Sequence, residues 1–159
     1  MKARMVYLDA CIFIAKHKGD VSIETQTCIQ TLFGDIESGA IYALTSAATL
    51  VEVLEGSEAV LDQAMDGRKG EFLDASLAVM ALAREIRKKI KVPVQGGKPK
   101  LLDLPDCIHI AKARLYDCEC LVTVDTKTML VVAAEITRHF KVILKQPCDL
   151  ITSQYLLNM

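Results

Sequence analysis

The chain has 159 residues, with 19 lysines and arginines against 20 aspartates and glutamates and a formal net charge of −1. It is therefore no polycation, and its length suits one domain, residues 1–159, with a sizeable core. The hydrophobic share of 52% and mean hydropathy of +0.28 point to a sheet covered on both faces, whereas no stretch approaches the ~18 apolar residues of a membrane span.

The N-terminus MKARMVYLDA is basic, but Asp9 interrupts the apolar run that follows, so it does not read as a signal peptide. Met5–Leu8 is predicted as a short strand, then a brief helix over Cys11–His17. Gly19-Asp20 breaks it, and Ser22 is a good N-cap for a helix running to about Ser38, with an approximate amphipathic stripe through Ile23, Thr27, Ile29, Leu32, Phe33 and Ile36. Ile41–Leu44 is a second strand. Thr45-Ser46 caps a helix to about Glu55, and Gly56-Ser57 starts another. Gly67 and Gly70 separate that piece from a long helix over roughly Glu71–Ile90. Lys91–Lys100, with Pro93, Gly96, Gly97 and Pro99, reads as a loop. Asp103 to about Tyr116 is helical, Pro105 being tolerated in the first turn. A third strand follows at Cys120–Val124, a helix over Thr126–His139, a fourth strand at Lys141–Leu144 and a short terminal element after Pro147.

Strands alternating with helices predict an α/β fold of three layers, α/β/α, around a central parallel sheet of four to five strands. No repeat, low-complexity stretch or long polar linker divides the chain. The six cysteines (Cys11, Cys28, Cys107, Cys118, Cys120, Cys148) form no CxxC pair. They read as reduced, mostly buried thiols in a reducing, cytoplasmic compartment, and their spacing argues against zinc.

Four acids stand beside apolar runs at the strand and helix junctions: Asp9, Glu52, Asp106 and Asp125. Unpaired carboxylates are costly there. In open parallel sheets the functional crevice lies beyond the carboxyl ends of the strands, and Asp9 and Asp125 each follow a strand directly. If the fold gathers these groups, their mutual repulsion calls for a cation, and all-oxygen ligands suit Mg²⁺ or Mn²⁺. Capping is the plain alternative. Asp is a favoured N-cap, Asp106 lies three residues after Asp103 as in a capping box, and Glu52 has small or polar helical neighbours that fit a solvent-facing side.

Between Arg84 and Lys100 seven basic residues face one acid, Glu85. Arg87, Lys88 and Lys89 form the dense part of this run. It is suited to steering a nucleic-acid backbone, and equally to complementing a helix C-terminus. His109, three residues after Asp106, reads as a packed core histidine or as a ligand or base. Ser46 and Thr49 are candidates for positioning substrate or water near Glu52, capping and helix packing explaining them at least as well, and Thr123, two residues before Asp125, is a candidate substrate-site residue that hydrogen-bonds near the metal.

The segments YLDACIFIA, LTSAATLVEVLEG and LPDCIHIAKARLYDCECLVTVD, in this order and spanning Tyr7 to Asp125, resemble the PIN-domain nucleases, including the toxin ribonucleases of toxin–antitoxin pairs. The resemblance implies that Asp9, Glu52, Asp106 and Asp125 form a quartet binding Mg²⁺ or Mn²⁺ for hydrolysis of RNA phosphodiester bonds. Asp9 and Asp106 are then direct ligands, Glu52 binds a second ion or orients water, and Asp125 acts through water. It also implies an RNA substrate, an antitoxin partner and a homodimer, with no membrane association. Two departures stand out. Many toxin members carry Thr-Asn where this chain has Ala10-Cys11, which removes a polar group able to orient the first carboxylate. The stretch between the second and third acids is also longer than in compact members. Two rival readings are a PIN-like module that binds RNA or protein without cutting, and a receiver-like signalling domain. The latter lacks the paired acids near the first strand that it needs.

Overall fold

The computed structural model describes residues 2–53 and 56–151. In chain order the elements are β1 (Arg4–Leu8), α1 (Ala10–Lys18), α2 (Ile23–Glu37), β2 (Ile41–Ser46), α3 (Thr49–Glu52), α4 (Glu58–Ala64) and β3 (Gly70–Leu73). There follow α5 (Leu77–Lys89), β4 (Lys91–Val92), β5 (Lys100–Leu101), α6 (Leu104–Leu115), β6 (Cys120–Val122), α7 (Ala133–Phe140) and β7 (Leu144–Lys145). Five strands form one parallel sheet in the order β3-β2-β1-β6-β7.

Side chains of the central strands alternate between two cores, as the two-residue period of a strand requires. Tyr7, Leu44 and Leu121 join the core built with α5 and α6. Val6, Leu8, Ile41, Ala43, Cys120 and Val122 join the one built with α1, α2 and α4. The predicted three-layer α/β/α arrangement is therefore present. Ser22 caps α2 as expected, its Oγ accepting from the Thr25 amide at 3.1 Å. Among the described residues no helix is long and apolar enough to cross a membrane.

Several local expectations are corrected. A helix was expected from Glu71, but Gly70–Leu73 is the edge strand β3, pairing with Ala43–Ser46. Gly70 is not a mere breaker: a Cβ there would stand 2.6 Å from the Ala43 carbonyl oxygen, so only glycine lets the strand approach β2 this closely. The helix begins after it, with Ser76 Oγ accepting from the Val79 amide at 3.2 Å.

The expected loop at 91–100 is a turn flanked by an antiparallel pair, Lys91 with Leu101 and Val92 with Lys100. Val92, 2% exposed, anchors this hairpin in the core. No helix starts at Thr126. The Asp125 carboxylate takes the Lys127 and Thr128 amides, both at 3.0 Å, in competition with helical bonding, and α7 starts at Ala133. Lys141 then adopts a left-handed conformation (φ 59°) that ends α7, delaying the last strand to Leu144–Lys145.

The all-thiol reading is also corrected. Cys28 on α2 is disulfide-bonded to Cys148 across 120 residues, with Cα atoms 5.1 Å apart, a pairing no spacing rule reveals. Cys11, Cys107, Cys118 and Cys120 are free. Residues 147–151 are helical, as a terminal element requires. The expected extension of the Thr45-Ser46 helix to Glu55 falls partly outside the described residues; up to Glu52 it is a strand end and the short α3.

Candidate functional site

Asp9 ends β1 and opens α1, yet its side chain makes no capping bond. It is 6% exposed, and Oδ2 is held from two sides, by Thr123 Oγ1 at 2.8 Å and by Cys11 Sγ at 3.2 Å. Burial beside Asp9 drives the Cys11 thiol far up its range, so the sulfur stays protonated and can donate. Cys11 therefore supplies an orienting contact at the place where its apolar character suggested one was lost. Sequence reasoning missed this, because a thiol is a weak donor whose value depends on what faces it.

Thr123, fully buried, does two jobs. It donates to Asp9 and accepts the Asp125 amide at 3.1 Å. The adjacency of β1 and β6 makes this possible, since Leu8 pairs with Val122 and the residues just beyond both strands meet at one sheet edge.

Asp125 is tied by its own turn, with Thr128 Oγ1 donating to Oδ2 in addition to the two amides on Oδ1. Burial pushes its pKa up, but the bonds from Thr128 and Lys127 outweigh it and leave Asp125 below the usual carboxylate range. It closes a turn and caps no helix, since α7 starts only at Ala133.

Asp106 lies in the first turn of α6. The anticipated capping box does not close, since Asp103 makes no side-chain cap bond. Burial, then the charges of Asp9 and Asp125, push Asp106 up to about 7. Glu52 ends α3, directly after β2, with its side chain 32% exposed.

His109 links the two halves of this edge. It is 1% exposed, and its Nδ1 is 2.7 Å from the Tyr7 hydroxyl. Its Nε2 stands 3.3 Å from Glu52 Oε1 and 3.6 Å from Asp9 Oδ1. Burial and then the Asp9 charge raise the Tyr7 pKa well above normal, so the phenol remains a donor. Tyr7 O–H to Nδ1 and Nε2–H toward the carboxylates is the tautomer consistent with these neighbours. The contact with His109 holds Glu52 below the ordinary range, against the opposing effect of burial. Nε2 has no well-aligned hydrogen-bond acceptor; it sits between two carboxylates without aiming squarely at either. His109 is thus both packed and part of the acidic edge.

Ser46, with Lys112 bonded to it, lies beside the Tyr7 hydroxyl. Lys112, 1% exposed, donates from Nζ to Ser46 Oγ at 2.8 Å and to the Leu73 carbonyl. Burial lowers its pKa. Ser46 also accepts the Ala48 amide at 3.1 Å, so its hydroxyl oxygen is engaged within the fold. Arg87, Lys88 and Lys89 form the exposed last turn of α5.

Among the described residues no group of three or more His, Cys, Asp or Glu side chains stands ready to enclose an ion. The donor chemistry nevertheless fits a hard divalent cation. Among the described residues Asp9 Oδ1 carries only the oblique approach of His109. Asp106 is half-buried, accepts no side-chain hydrogen bond from the described residues and faces two like charges.

A family model described as the PIN domain matches residues 6–135, and the chain belongs to that family, whose members are generally nucleases. Among solved structures, a toxin–antitoxin complex from Klebsiella pneumoniae is similar with a TM-score of 0.51 and 20% identity, covering 78% of this chain and 89% of that one. VapBC2 from Rickettsia felis bound to a DNA fragment from their promoter is similar with a TM-score of 0.55 and 13% identity, covering 89% and 98%. At these identities the likeness is one of fold. No curated protein matches the chain.

Proposed function

We propose that the chain is a Mg²⁺- or Mn²⁺-dependent endoribonuclease and the toxin of a toxin–antitoxin pair, working through Asp9, Glu52, Asp106 and Asp125. The observation that carries this reading is the pairing of a clamped Asp9, whose Oδ1 is left open, with an Asp106 that has burial and two like charges against it. A cation there offsets both penalties.

Asp9 and Asp106 would hold the ion directly, Glu52 would bind a second ion or orient water, and Asp125 would act through water. A bound ion supplies a lowered pKa for the attacking water and charge compensation at the leaving oxygen. The protein does the positioning. Thr123 and Cys11 fix Oδ2, which would leave Oδ1 for the ion, and the Tyr7-held His109 steadies the Glu52 carboxylate. Arg87, Lys88 and Lys89 contribute a long-range field drawing RNA toward the site. The toxin role is supported by membership of the PIN family and by two similar folds that are themselves toxin–antitoxin proteins. An antitoxin partner, a homodimer and a cytoplasmic location belong to the same reading.

The test compares wild type with Asp9→Asn and Asp106→Asn on a pool of labelled RNAs in Mn²⁺, Mg²⁺ or EDTA. Metal-dependent cleavage lost in both folded variants supports the proposal. No cleavage of any RNA, together with no metal binding by titration, leaves a non-cutting binding module.

A further inference from the structure

The basic segment is built into a groove whose chemistry is not that of a nucleic-acid track. Met80, Arg84, Arg87 and Lys88 recur at helical spacing along α5, on the side flanking its buried Val79, Ala83 and Ile86. With Lys91 of the hairpin and Leu101 and Leu104 they line a groove of about 570 Å³, within the ~300–1,000 Å³ of ligand-binding clefts.

Two features define what fits. Its floor is aliphatic and open to water: Met80 is 38%, Leu101 42% and Leu104 43% exposed. Its rim is cationic and undercompensated. Lys88 reaches Glu85 at 3.3 Å, whereas Arg84, Arg87 and Lys91 make no salt bridge among the described residues.

RNA satisfies only the rim. Its backbone gains nothing by covering leucine and methionine, and among the described residues no aromatic side chain lines the groove to stack a base. A ligand matching both features carries aliphatic groups and carboxylates together. Residues 152–159 contain no acidic side chain, so they do not supply that charge.

We propose that this groove docks an acidic amphipathic peptide segment of a partner protein. Aliphatic anchors cover Met80, Leu101 and Leu104, and carboxylates pair with Arg84, Arg87 and Lys91, a helix-in-groove mode of recognition. Leu104 opens the helix that carries Asp106 two residues later, so an occupied groove borders the acidic edge. The same peptide neutralises cations that would draw RNA. This last consequence rests on the nuclease reading; the docking itself does not.

The probe is a display library of random 12-residue peptides selected on the full chain, with recovered sequences synthesised and their binding followed by fluorescence anisotropy. Sequences combining aliphatic residues at helical spacing with acids are expected. Their binding should fall at least ~10-fold in Arg84→Glu/Lys91→Glu and in Met80→Ser/Leu101→Ser, both folded by circular dichroism, and should weaken with salt. Asp9→Asn should bind them like wild type, whether or not the chain cuts RNA. Peptides without acids, or insensitive to both double variants, overturn the proposal. So does twelve-residue polyuridine binding that Arg84→Glu/Lys91→Glu abolishes while no peptide binds, which makes the groove an RNA path. A change of oligomeric state in sedimentation with that variant assigns the face to a second copy and also overturns it.

Discussion

The hydroxyl of Tyr7 and Nδ1 of His109 are 2.7 Å apart although 102 residues separate them in sequence. This bond joins the central strand β1 to α6 and fixes which nitrogen of His109 faces Asp9 and Glu52. Tyr7→Phe keeps the ring and removes the donor, leaving Nδ1 buried without a partner. A loss of about 1–3 kcal/mol is expected in urea unfolding, with weaker Mn²⁺ binding by calorimetry. Unchanged stability and metal affinity would show that packing alone orients His109.

Asp106 gives a pH dependence of defined sign. Its carboxyl moves from an ordinary value of 3.8 to about 7, first through burial and then through Asp9 and Asp125. Between about pH 4 and 7 the unfolded chain has released a proton that the native state retains. The associated stability is present below that window and is lost as pH rises through it. Discounted for partial exposure, the loss is on the order of 2 kcal/mol. In EDTA, wild type measured against Asp106→Asn should lose this amount from about pH 4 to pH 8, and saturating Mn²⁺ should reduce the difference. Parallel pH profiles for the two proteins would contradict it.

Thr123 and Cys11 both contact Asp9 Oδ2, but a hydroxyl at 2.8 Å is a far better donor than a thiol at 3.2 Å. Thr123→Val should therefore cost more than Cys11→Ala. The expected fall in RNA cleavage or Mn²⁺ affinity is about 10–100-fold for Thr123→Val and a few-fold for Cys11→Ala. The opposite order would make the sulfur the principal positioning group.

The Cys28–Cys148 disulfide ties the 147–151 helical segment to α2. Closing so long a loop restricts the unfolded chain, and reduction should lower stability by about 2–4 kcal/mol. Thermal unfolding with and without dithiothreitol measures the loss. Cys28→Ser should melt at the same temperature in both conditions; a dithiothreitol effect that survives in it would trace to another cause.

Much of the architecture was legible in the sequence because it depends on local composition. Apolar runs at Met5–Leu8, Ile41–Leu44 and Cys120–Val124 are long enough to be buried, and Ser22 and the glycines punctuate the helices between them. Elements whose identity depends on a neighbour were not legible. Gly70 reads as a breaker until β2 lies against it, and the Asp125 turn reads as helix until its carboxylate captures two amides.

The alternation of strands and helices, and the standing of four acids at their junctions, follow from the order of apolar and charged residues along the chain. How those acids are held depends on folding in three dimensions: Thr123 and Cys11 on Asp9, His109 between Asp9 and Glu52, and two like charges beside Asp106. The same folding buries Lys112 and brings Cys28 to Cys148. Hydrogen bonds and charge interactions act over a few ångströms in space, and separations of up to 120 residues along the chain leave no periodic trace from which to read them.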